Sequence, residues 1–361
     1  MDRETFLEIL KKGKMMRASD IHLLAGEVPV FRINGKLIRI EEYNNFTKED
    51  MKNLSSFVVK EEDRKTFEKN RELDFSFKND EINCRINIFY ERENIGMSIR
   101  LVREEPFTLE ELGINKKIYD ILERRQGLII VSGKSGSGKS STLAGIIEKF
   151  NREENLNILT IEDPVEYIFK NKKSIIRQRE VGRDTKNFIE GMKSGLRQDI
   201  DIIMVGELRE NESIEMALTA AETGHLVLAT LHTNGAVDTI DRIISVFPEN
   251  KKNLIERQLA SNLVGVIYQE LIDGKDDTRV PLCEMLYINR GIENLIRNGK
   301  INQIQSFIDI SGRDGMLNKE ECLKDLWREN RINEKQYNEM VRNIKRNPPC
   351  WWKIILLILF S

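Results

Sequence analysis

The second half of the chain contains short, nearly continuous apolar runs, each followed by a stretch with helical periodicity. At least four of these runs predict strands that are buried on both faces: Leu128 to Val131, Ile158 to Ile161, Ile202 to Val205 and Leu226 to Thr230. Strands and helices that alternate in this way are typical of a parallel sheet flanked by helices. After about Pro248 the pattern is mostly helical. The sequence therefore predicts an α/β domain with a parallel-rich sheet.

The first hundred residues have a different pattern. An amphipathic start is followed by a strand-like stretch, Val30 to Ile33, and by the dipeptide Asn34-Gly35, which favours a hairpin turn. Further strands are predicted at Leu73 to Phe77, Cys84 to Phe89 and Met97 to Val102, with a charged helical stretch from Lys48 to Asn70. Together these elements indicate a small α+β domain, and Glu104-Glu105-Pro106 marks a linker after it.

The chain length of 361 residues also favours two domains over one. We expect an α+β domain over residues 1–103, a linker and first helix over 104–126, the larger α/β domain with a helical C-terminal part over 127–345, and an atypical apolar tail over 346–361. The apolar run of this tail is far shorter than the roughly 20 residues that span a bilayer. It either packs on the body of the protein, reflects an altered chain end, or anchors at a membrane surface through Trp351 and Trp352.

Composition and terminal sequence argue against nucleic-acid binding, a zinc site and secretion. Lys+Arg 57 against Asp+Glu 59 gives a net charge of −2, so no basic field indicates nucleic acid. The cysteines Cys84, Cys283, Cys322 and Cys350 are far apart and form no zinc-binding pair, so we expect reduced thiols. The amino terminus lacks the apolar core of a signal peptide, and we expect an unsecreted protein.

A phosphate-binding loop follows the first strand of the larger domain. Residues 133–140, GKSGSGKS, match the pattern G-x-x-x-x-G-K-[ST] between a strand and an amphipathic helix, as this loop requires. We expect Lys139 to reach the β- and γ-phosphates and Ser140 to bind Mg²⁺. The expected nucleotide contacts are Gly133, Ser135, Gly136, Ser137, Gly138, Lys139, Ser140 and Ser141. A flexible glycine-serine turn is the ordinary alternative, and the loop alone does not separate kinases, GTPases and ATPases.

Carboxylates follow two of the predicted strands. Glu162 and Asp163 come directly after one strand, and Glu207 follows another strand and a glycine. Because ligands of open α/β sheets bind at the carboxyl ends of the strands, we expect Glu207 to hold or polarise the attacking water, and Glu162 and Asp163 to bind Mg²⁺ together with Ser140. The alternative for Glu207 is a surface carboxylate without a catalytic role.

Two of the three histidines, His225 and His232, flank the predicted strand Leu226 to Thr230. As neutral hydrogen-bonding groups they could sense the γ-phosphate, and metal binding is disfavoured because no third ligand is nearby. For each of them the alternative is a buried histidine with satisfied hydrogen bonds.

The motifs, in this order, resemble one family over nearly the whole chain: the secretion and type IV pilus ATPases, and within them the retraction motors of twitching motility. The resemblance rests on Ala18 to Leu23 with Phe31 to Gly35, the phosphate-binding loop, Thr160 to Glu166, Gln178 to Val181, Asp201 to Arg209, and Ala220 to Thr233. Asn294 to Ile304 is similar to a segment typical of retraction motors. The four-cysteine zinc element of assembly and type II secretion relatives does not occur, nor does their longer amino-terminal extension.

This resemblance implies a PAS-like domain followed by a RecA-like ATPase domain. It also implies ATP and Mg²⁺ as cofactors, a homohexamer, and an inner-membrane platform protein as partner, with a related assembly ATPase as a further candidate partner. Arg85, Arg100 and Arg103 lie in segments that approach the phosphates in the family, although surface salt bridges are an equal alternative for them. The protein would be cytoplasmic, at the cytoplasmic face of the inner membrane and peripheral to it through its partners, without nucleic acid.

The implied function is ATP hydrolysis, to ADP and phosphate, that powers pilus retraction. The alternatives are a pilus assembly or type II secretion ATPase, and a nucleotide-gated regulatory protein with little turnover. Three departures from the family bear on activity: Ile200 replaces a usual proline, Lys134 replaces another proline, and Gly191 and Gly195 weaken a helix by roughly 1 kcal/mol each.

Overall fold

The structure is a computed structural model that describes residues 3–79, 82–102, 105–275, 278–310 and 316–346. It divides into two compact units, Met1–Glu104 and Glu105–Ser361, and each is described by itself. Of the predicted tail, Trp351 and Trp352 lie outside the described residues, as does Arg103. Within the described residues no helix combines the length and the apolar character that a membrane span requires.

The first unit is an antiparallel sheet with helices packed on it. Its elements are α1 (Arg3–Met15), β1 (Asp20–Leu24), β2 (Val30–Ile33), β3 (Lys36–Arg39), α2 (Lys48–Val58), α3 (Glu61–Asn70), β4 (Glu72–Lys78), β5 (Asn83–Glu91) and β6 (Asn94–Val102). The strand order is β3-β2-β1-β6-β5-β4. The predicted hairpin is confirmed, because Asn34 and Gly35 both have positive φ (49° and 82°) between the paired residues Ile33 and Lys36.

The second unit is a mostly parallel sheet between helices. Its elements are α4 (Leu109–Leu112), α5 (Ile118–Leu122), β7 (Gly127–Ser132), α6 (Lys139–Glu153), β8 (Asn157–Glu162), β9 (Ile175–Glu180), α7 (Phe188–Gly195), β10 (Ile202–Val205), α8 (Asn211–Glu222), β11 (Leu226–Leu231), α9 (Ala236–Ser245), α10 (Glu249–Asn262), β12 (Leu263–Asp273), β13 (Arg279–Tyr287), α11 (Arg290–Arg297), a 3₁₀ turn (Ile301–Gln303), α12 (Ile304–Ile310), α13 (Lys319–Arg328) and α14 (Glu334–Arg346).

The strand order of this sheet is β13-β12-β7-β11-β10-β8-β9. Among the strands that the structure describes in this sheet, β13 is antiparallel to its neighbour β12 and the other pairs are parallel. Alternate residues of β7 face opposite sides: Leu128 and Ile130 join one hydrophobic core, and Ile129 and Val131 join the other. Both faces of the central strands are therefore covered, as the continuous apolar runs predict. The predicted fold class is confirmed.

The prediction of a mostly helical region after Pro248 is wrong in part, because β12 and β13 form a long antiparallel pair there. Strand β12 follows α10 directly, without glycine or proline between them, so no local signal separates the helix from the strand. The pair contributes buried residues to both cores and completes one side of the sheet.

Glu148 and Glu284 are buried carboxylates of the second unit whose pKa values shift in opposite directions. Glu148, on α6, accepts hydrogen bonds from Asn151 (3.0 Å), Arg152 (2.5 Å) and Lys172. Burial opposes ionisation of Glu148, but these hydrogen bonds outweigh it and hold its pKa below the usual range. Glu284, on β13, accepts a 2.9 Å hydrogen bond from the backbone N–H of Ala236, and burial raises its pKa in spite of the positive charge of Lys319.

Candidate functional site

The phosphate-binding loop joins β7 to α6, and three of its glycines have positive φ: Gly133 (148°), Gly136 (74°) and Gly138 (87°). These conformations are unfavourable for residues with a side chain. A Cβ at Gly133 would also lie 2.2 Å from the backbone oxygen of Gln269 on the neighbouring strand β12. The loop therefore needs glycine both for its turn and for its close packing on β12.

Lys139 is buried at the start of α6, only 8% exposed. Its Nζ donates to the backbone oxygens of Gly133 (3.0 Å) and Lys134 (2.9 Å) and lies 3.5 Å from Nδ1 of His232. Burial lowers the pKa of the Lys139 ammonium, and the negative charge of Glu207 opposes that shift. The ammonium is thus held inside the loop, on the side where Glu207 lies.

Glu207 lies beyond the carboxyl end of β10, as predicted. Its Oε1 lies 3.5 Å from Nε2 of His232, and its Oε2 accepts a 2.9 Å hydrogen bond from Nε of Arg209. His232 therefore lies between Lys139 and Glu207, with one ring nitrogen facing each of them. A cation, an imidazole and a carboxylate meet beside the phosphate-binding loop, which is a suitable arrangement for binding phosphate and orienting a water.

Glu162 ends strand β8, which pairs with β10, so both carboxylates stand at the same edge of the sheet. The Glu162 carboxylate is buried and accepts from Thr160 Oγ1 (2.7 Å) and Gln178 Nε2 (3.1 Å). Burial raises the pKa of Glu162, and these hydrogen bonds oppose the shift. Asp163 is exposed next to it and precedes a cis peptide bond to Pro164.

A tyrosine that the sequence analysis gave no role also contacts the loop region. The hydroxyl of Tyr167 lies 2.7 Å from Oγ of Ser141, in the first turn of α6. Its backbone oxygen accepts a 2.7 Å hydrogen bond from Gln178, which also holds Glu162. The segment after β8 is thereby connected to α6, and the sequence signal for this contact is the position of Tyr167 just after the acidic segment 162–166.

His225 does not lie at the phosphate-binding loop of this chain, and a contact of His225 with nucleotide remains a prediction. Leu226 pairs with Gly127, at the amino end of β7, whereas the loop follows the carboxyl end. The His225 ring instead lies 3.0 Å from the backbone oxygen of Ala220 and 3.2 Å from Thr223 Oγ1. His225 and His232 therefore lie at opposite ends of β11, because six residues of strand extend about 20 Å.

The predicted arginines lie in the first unit. Arg85 and Arg100 are cross-strand neighbours on β5 and β6, and each forms an ion pair with a carboxylate, Arg85 with Asp74 (3.7 Å) and Arg100 with Asp20 (3.1 Å). Arg103 is outside the described residues. A contact of these arginines with nucleotide remains a prediction.

Among the described residues, no group of three or more His, Cys, Asp or Glu side chains is arranged to hold a metal ion. The predicted Mg²⁺ ligands are a different set, one hydroxyl and two carboxylates: Ser140, Glu162 and Asp163. Their oxygens are of the kind that Mg²⁺ prefers, and such sites are usually completed by phosphate oxygens and water. The donor chemistry fits the ion, and its binding here remains a prediction.

Known proteins resemble this chain over most of its length. Residues 4–339 match the family described as "Type II/IV secretion system protein". The chain is 40% identical over 323 residues to the "Type IV pilus retractation ATPase PilT" of Pseudomonas aeruginosa, covering 88% of this chain and 93% of that protein. It is 38% identical to a "Twitching motility protein" of Neisseria gonorrhoeae, covering 91% and 88%.

A solved structure of "the Pilus Retraction Motor PilT and Bound ADP" superposes with a TM-score of 0.82 at 40% identity, covering 92% of this chain and 96% of that one. The resemblance to the type IV pilus retraction ATPases that the sequence predicts is confirmed by these relatives. The chain therefore belongs to the type II/IV secretion system protein family.

Proposed function

We propose that this protein is an ATPase that powers the retraction of type IV pili, and so twitching motility. The observation that carries the proposal is the meeting of Lys139, His232 and Glu207 beside the phosphate-binding loop. Relatives that share about 40% of its sequence over most of the chain are named as pilus retraction and twitching motility proteins. The protein binds nucleotide and hydrolyses ATP to ADP and phosphate.

Lys139, His232 and Glu207 have different roles in hydrolysis. Lys139 binds the β- and γ-phosphates through its ammonium, which the loop carbonyls already hold in place. Glu207 orients the attacking water and accepts its proton. His232, between them, donates a hydrogen bond to a γ-phosphate oxygen from the ring nitrogen that carries its proton. These roles, and nucleotide contacts of Gly133, Ser135, Gly136, Ser137, Gly138, Ser140 and Ser141, are proposals.

Ser140, Glu162 and Asp163 would hold Mg²⁺, which when bound neutralises charge on the phosphate oxygens. Glu162 is already oriented by Thr160 and Gln178, so its carboxylate has a fixed direction. In the proposed assembly, a homohexamer, Arg85, Arg100 and Arg103 add positive charge to the nucleotide site. ATP binding closes the domains, hydrolysis reopens them, and the cycle acts on a platform protein at the cytoplasmic face of the inner membrane, with a related assembly ATPase as a further partner.

The regulatory alternative, nucleotide binding with little turnover, loses one of its arguments. Ile200 is buried in the hydrophobic core and directly precedes Asp201 and the amino end of β10, at the edge of the sheet opposite Glu207. Its replacement of a usual proline therefore gives no reason to expect a damaged catalytic site. An assembly or type II secretion motor, which would use the same chemistry, is the remaining alternative.

The test is steady-state ATP hydrolysis by the purified full chain and by Glu207→Gln and Lys139→Ala. We expect a loss of at least about 100-fold in kcat for Glu207→Gln, as for removal of a general base, and loss of nucleotide binding for Lys139→Ala. Glu222→Gln, at the end of α8, is the matched control and should hydrolyse ATP normally. Undiminished turnover by Glu207→Gln contradicts the catalytic assignment.

The direction of the motor is tested in cells. Deleting the gene should leave cells with excess pili that do not retract, and the wild-type gene should restore retraction while the Glu207→Gln gene should not. Cells that lose their pili on deletion would instead identify an assembly motor.

A further inference from the structure

Gln269 lies behind the phosphate-binding loop and touches no predicted catalytic residue. It follows Tyr268, whose backbone pairs with Ser132 at the end of β7, so its side chain stands directly beneath the loop. The side chain is 1% exposed. Its Oε1 accepts a 2.7 Å hydrogen bond from Oγ1 of Thr142, and its Nε2 donates a 2.7 Å hydrogen bond to the backbone oxygen of Ser137.

The chemistry of these partners fixes the orientation of the amide. The Ser137 backbone oxygen can only accept, so the NH₂ group of Gln269 must face it, and the Thr142 hydroxyl must then donate to Oε1. One side chain thus joins the loop to α6, since Ser137 belongs to the loop and Thr142 to the helix. Both bonds are short and lie in a buried site, where a lost partner is costly.

The bond to Ser137 also determines where the next N–H group points. The oxygen of Ser137 and the N–H of Gly138 belong to one planar trans peptide and therefore point in opposite directions. Because the oxygen points inward to Gln269, the Gly138 N–H points the opposite way, away from Gln269. N–H groups that point away from the core of the domain are what a phosphate-binding loop offers to phosphate.

The glycines of the loop are consistent with this contact. A Cβ at Gly138 would lie 3.1 Å from Nε2 of Gln269, and a Cβ at Gly133 would lie 2.2 Å from its backbone oxygen. Both ends of the loop therefore pack against the same residue, one on its side chain and one on its backbone.

We propose that Gln269 is a positioning residue for nucleotide binding, which orients the Ser137–Gly138 peptide so that the Gly138 N–H faces the phosphates. The proposal rests on nucleotide binding at this loop, as in the proposed function. The ordinary alternative is a buried glutamine that only stabilises the fold. That alternative predicts a lower melting temperature for a variant but an unchanged affinity for ADP.

The experiment measures ADP affinity by calorimetry, KM and kcat for ATP, and the melting temperature without nucleotide, for the full chain. Gln269→Met has similar length but removes both hydrogen bonds, and Gln269→Glu keeps the shape but loses the NH₂ donor to Ser137. We expect each to raise the Kd for ADP about tenfold, which is 1.4 kcal/mol, and to raise KM by more than it lowers kcat. Gln305→Met, at another buried glutamine of the same unit, is the matched control and should change Kd less than about twofold, within the scatter of such measurements.

Thr142 supplies a test that does not disturb Gln269 itself. Thr142→Ser keeps the hydroxyl and should bind ADP as the wild type does, whereas Thr142→Val should weaken binding because Gln269 loses its anchor. This pair carries the test if the Gln269 variants do not fold. Wild-type ADP affinity in Gln269→Met and Gln269→Glu, or in Thr142→Val, would overturn the proposal.

Lys139→Ala, measured in the same assay, separates this inference from the proposed function. If Lys139→Ala binds ADP as well as the wild type does, nucleotide binding at the loop is itself wrong. If Lys139→Ala loses binding and the Gln269 variants do not, only the positioning role of Gln269 fails.

Discussion

The substitution Gly195→Ala tests whether the glycines of α7 are required by packing. From helix propensity alone, alanine at this position should stabilise the helix by roughly 1 kcal/mol. In the structure, however, a Cβ at Gly195 would lie 2.6 Å from Cδ2 of Leu159, a fully buried residue of β8. Carbon atoms in contact are normally 3.5–4.0 Å apart, about 1 Å more.

An inserted methyl group in a packed core costs about 1–3 kcal/mol, so the expected net effect of Gly195→Ala is a loss of about 1 kcal/mol in the free energy of unfolding. Gly191→Ala is the matched control on the same helix, because its Cβ would lie 3.0 Å from the nearest atom of Ile161, a tighter than usual contact that a small shift relieves. For Gly191→Ala the gain in helix propensity and the cost of the close contact should nearly cancel.

The assay is thermal unfolding of both variants beside the wild type. In a domain of this size a change of 1 kcal/mol shifts the melting temperature by about 2–4 °C. Gly195→Ala should melt lower than Gly191→Ala by about that amount. Equal stabilisation of both variants would refute the reasoning, since it would mean that helix propensity decides and the contact with Leu159 relaxes freely.

Three further predictions concern stability. Glu148→Ala should destabilise the protein by about 1–3 kcal/mol at pH 7, because it leaves one N–H of the buried Asn151 amide without its acceptor and removes the ion pairs with Arg152 and Lys172. Since the folded-state pKa of Glu148 is lowered, this difference in melting temperature from the wild type should shrink as the pH falls below about 4.5. Glu284→Gln should have the opposite pH dependence, because the folded-state pKa of Glu284 is raised. The wild type therefore loses stability as the pH rises above the pKa of Glu284 in the unfolded chain. The variant should melt at a higher temperature than the wild type at about pH 8 but not at about pH 4. Gly35→Ala should cost about 1 kcal/mol, measured by thermal unfolding, because φ is +82° and no atom lies within 4 Å of the new Cβ, so the cost is conformational alone; no loss of stability would contradict that turn geometry.

The sequence predicts the position of an element correctly where two independent patterns coincide. Strand β7 is both a continuous apolar run and the element that must precede the phosphate-binding loop, so its position and its role support one another. The position of Glu207 is also predicted from the sequence, because it follows a buried strand. In the structure it lies beside His232, which in turn contacts Lys139. Parallel strands bring all of their carboxyl ends to one edge, which makes such a site predictable from strand order along the chain.

The sequence does not predict which side chains meet when the contact depends on how strands are arranged in the sheet. His225 and His232 are neighbours of one strand in sequence, yet the strand separates them. Gln269 lies more than a hundred residues after the loop that it contacts, on a strand that follows a helix without a turn signal. Nothing local could indicate that this glutamine, and not another, faces the loop.

Buried hydroxyls connect the base of the phosphate-binding loop to the segment that carries His232. Oγ1 of Thr239 lies 2.9 Å from Oγ of Ser132, the last residue of β7, and 2.8 Å from Oγ1 of Thr233, which directly follows His232. Separating Ser132 from Thr239 would break a buried hydrogen bond, at a net cost of about 0.5–1.5 kcal/mol, although Thr239 would keep its 2.8 Å hydrogen bond to the backbone oxygen of Gly235. Thr239 therefore links the loop that holds Lys139 to the segment that carries His232.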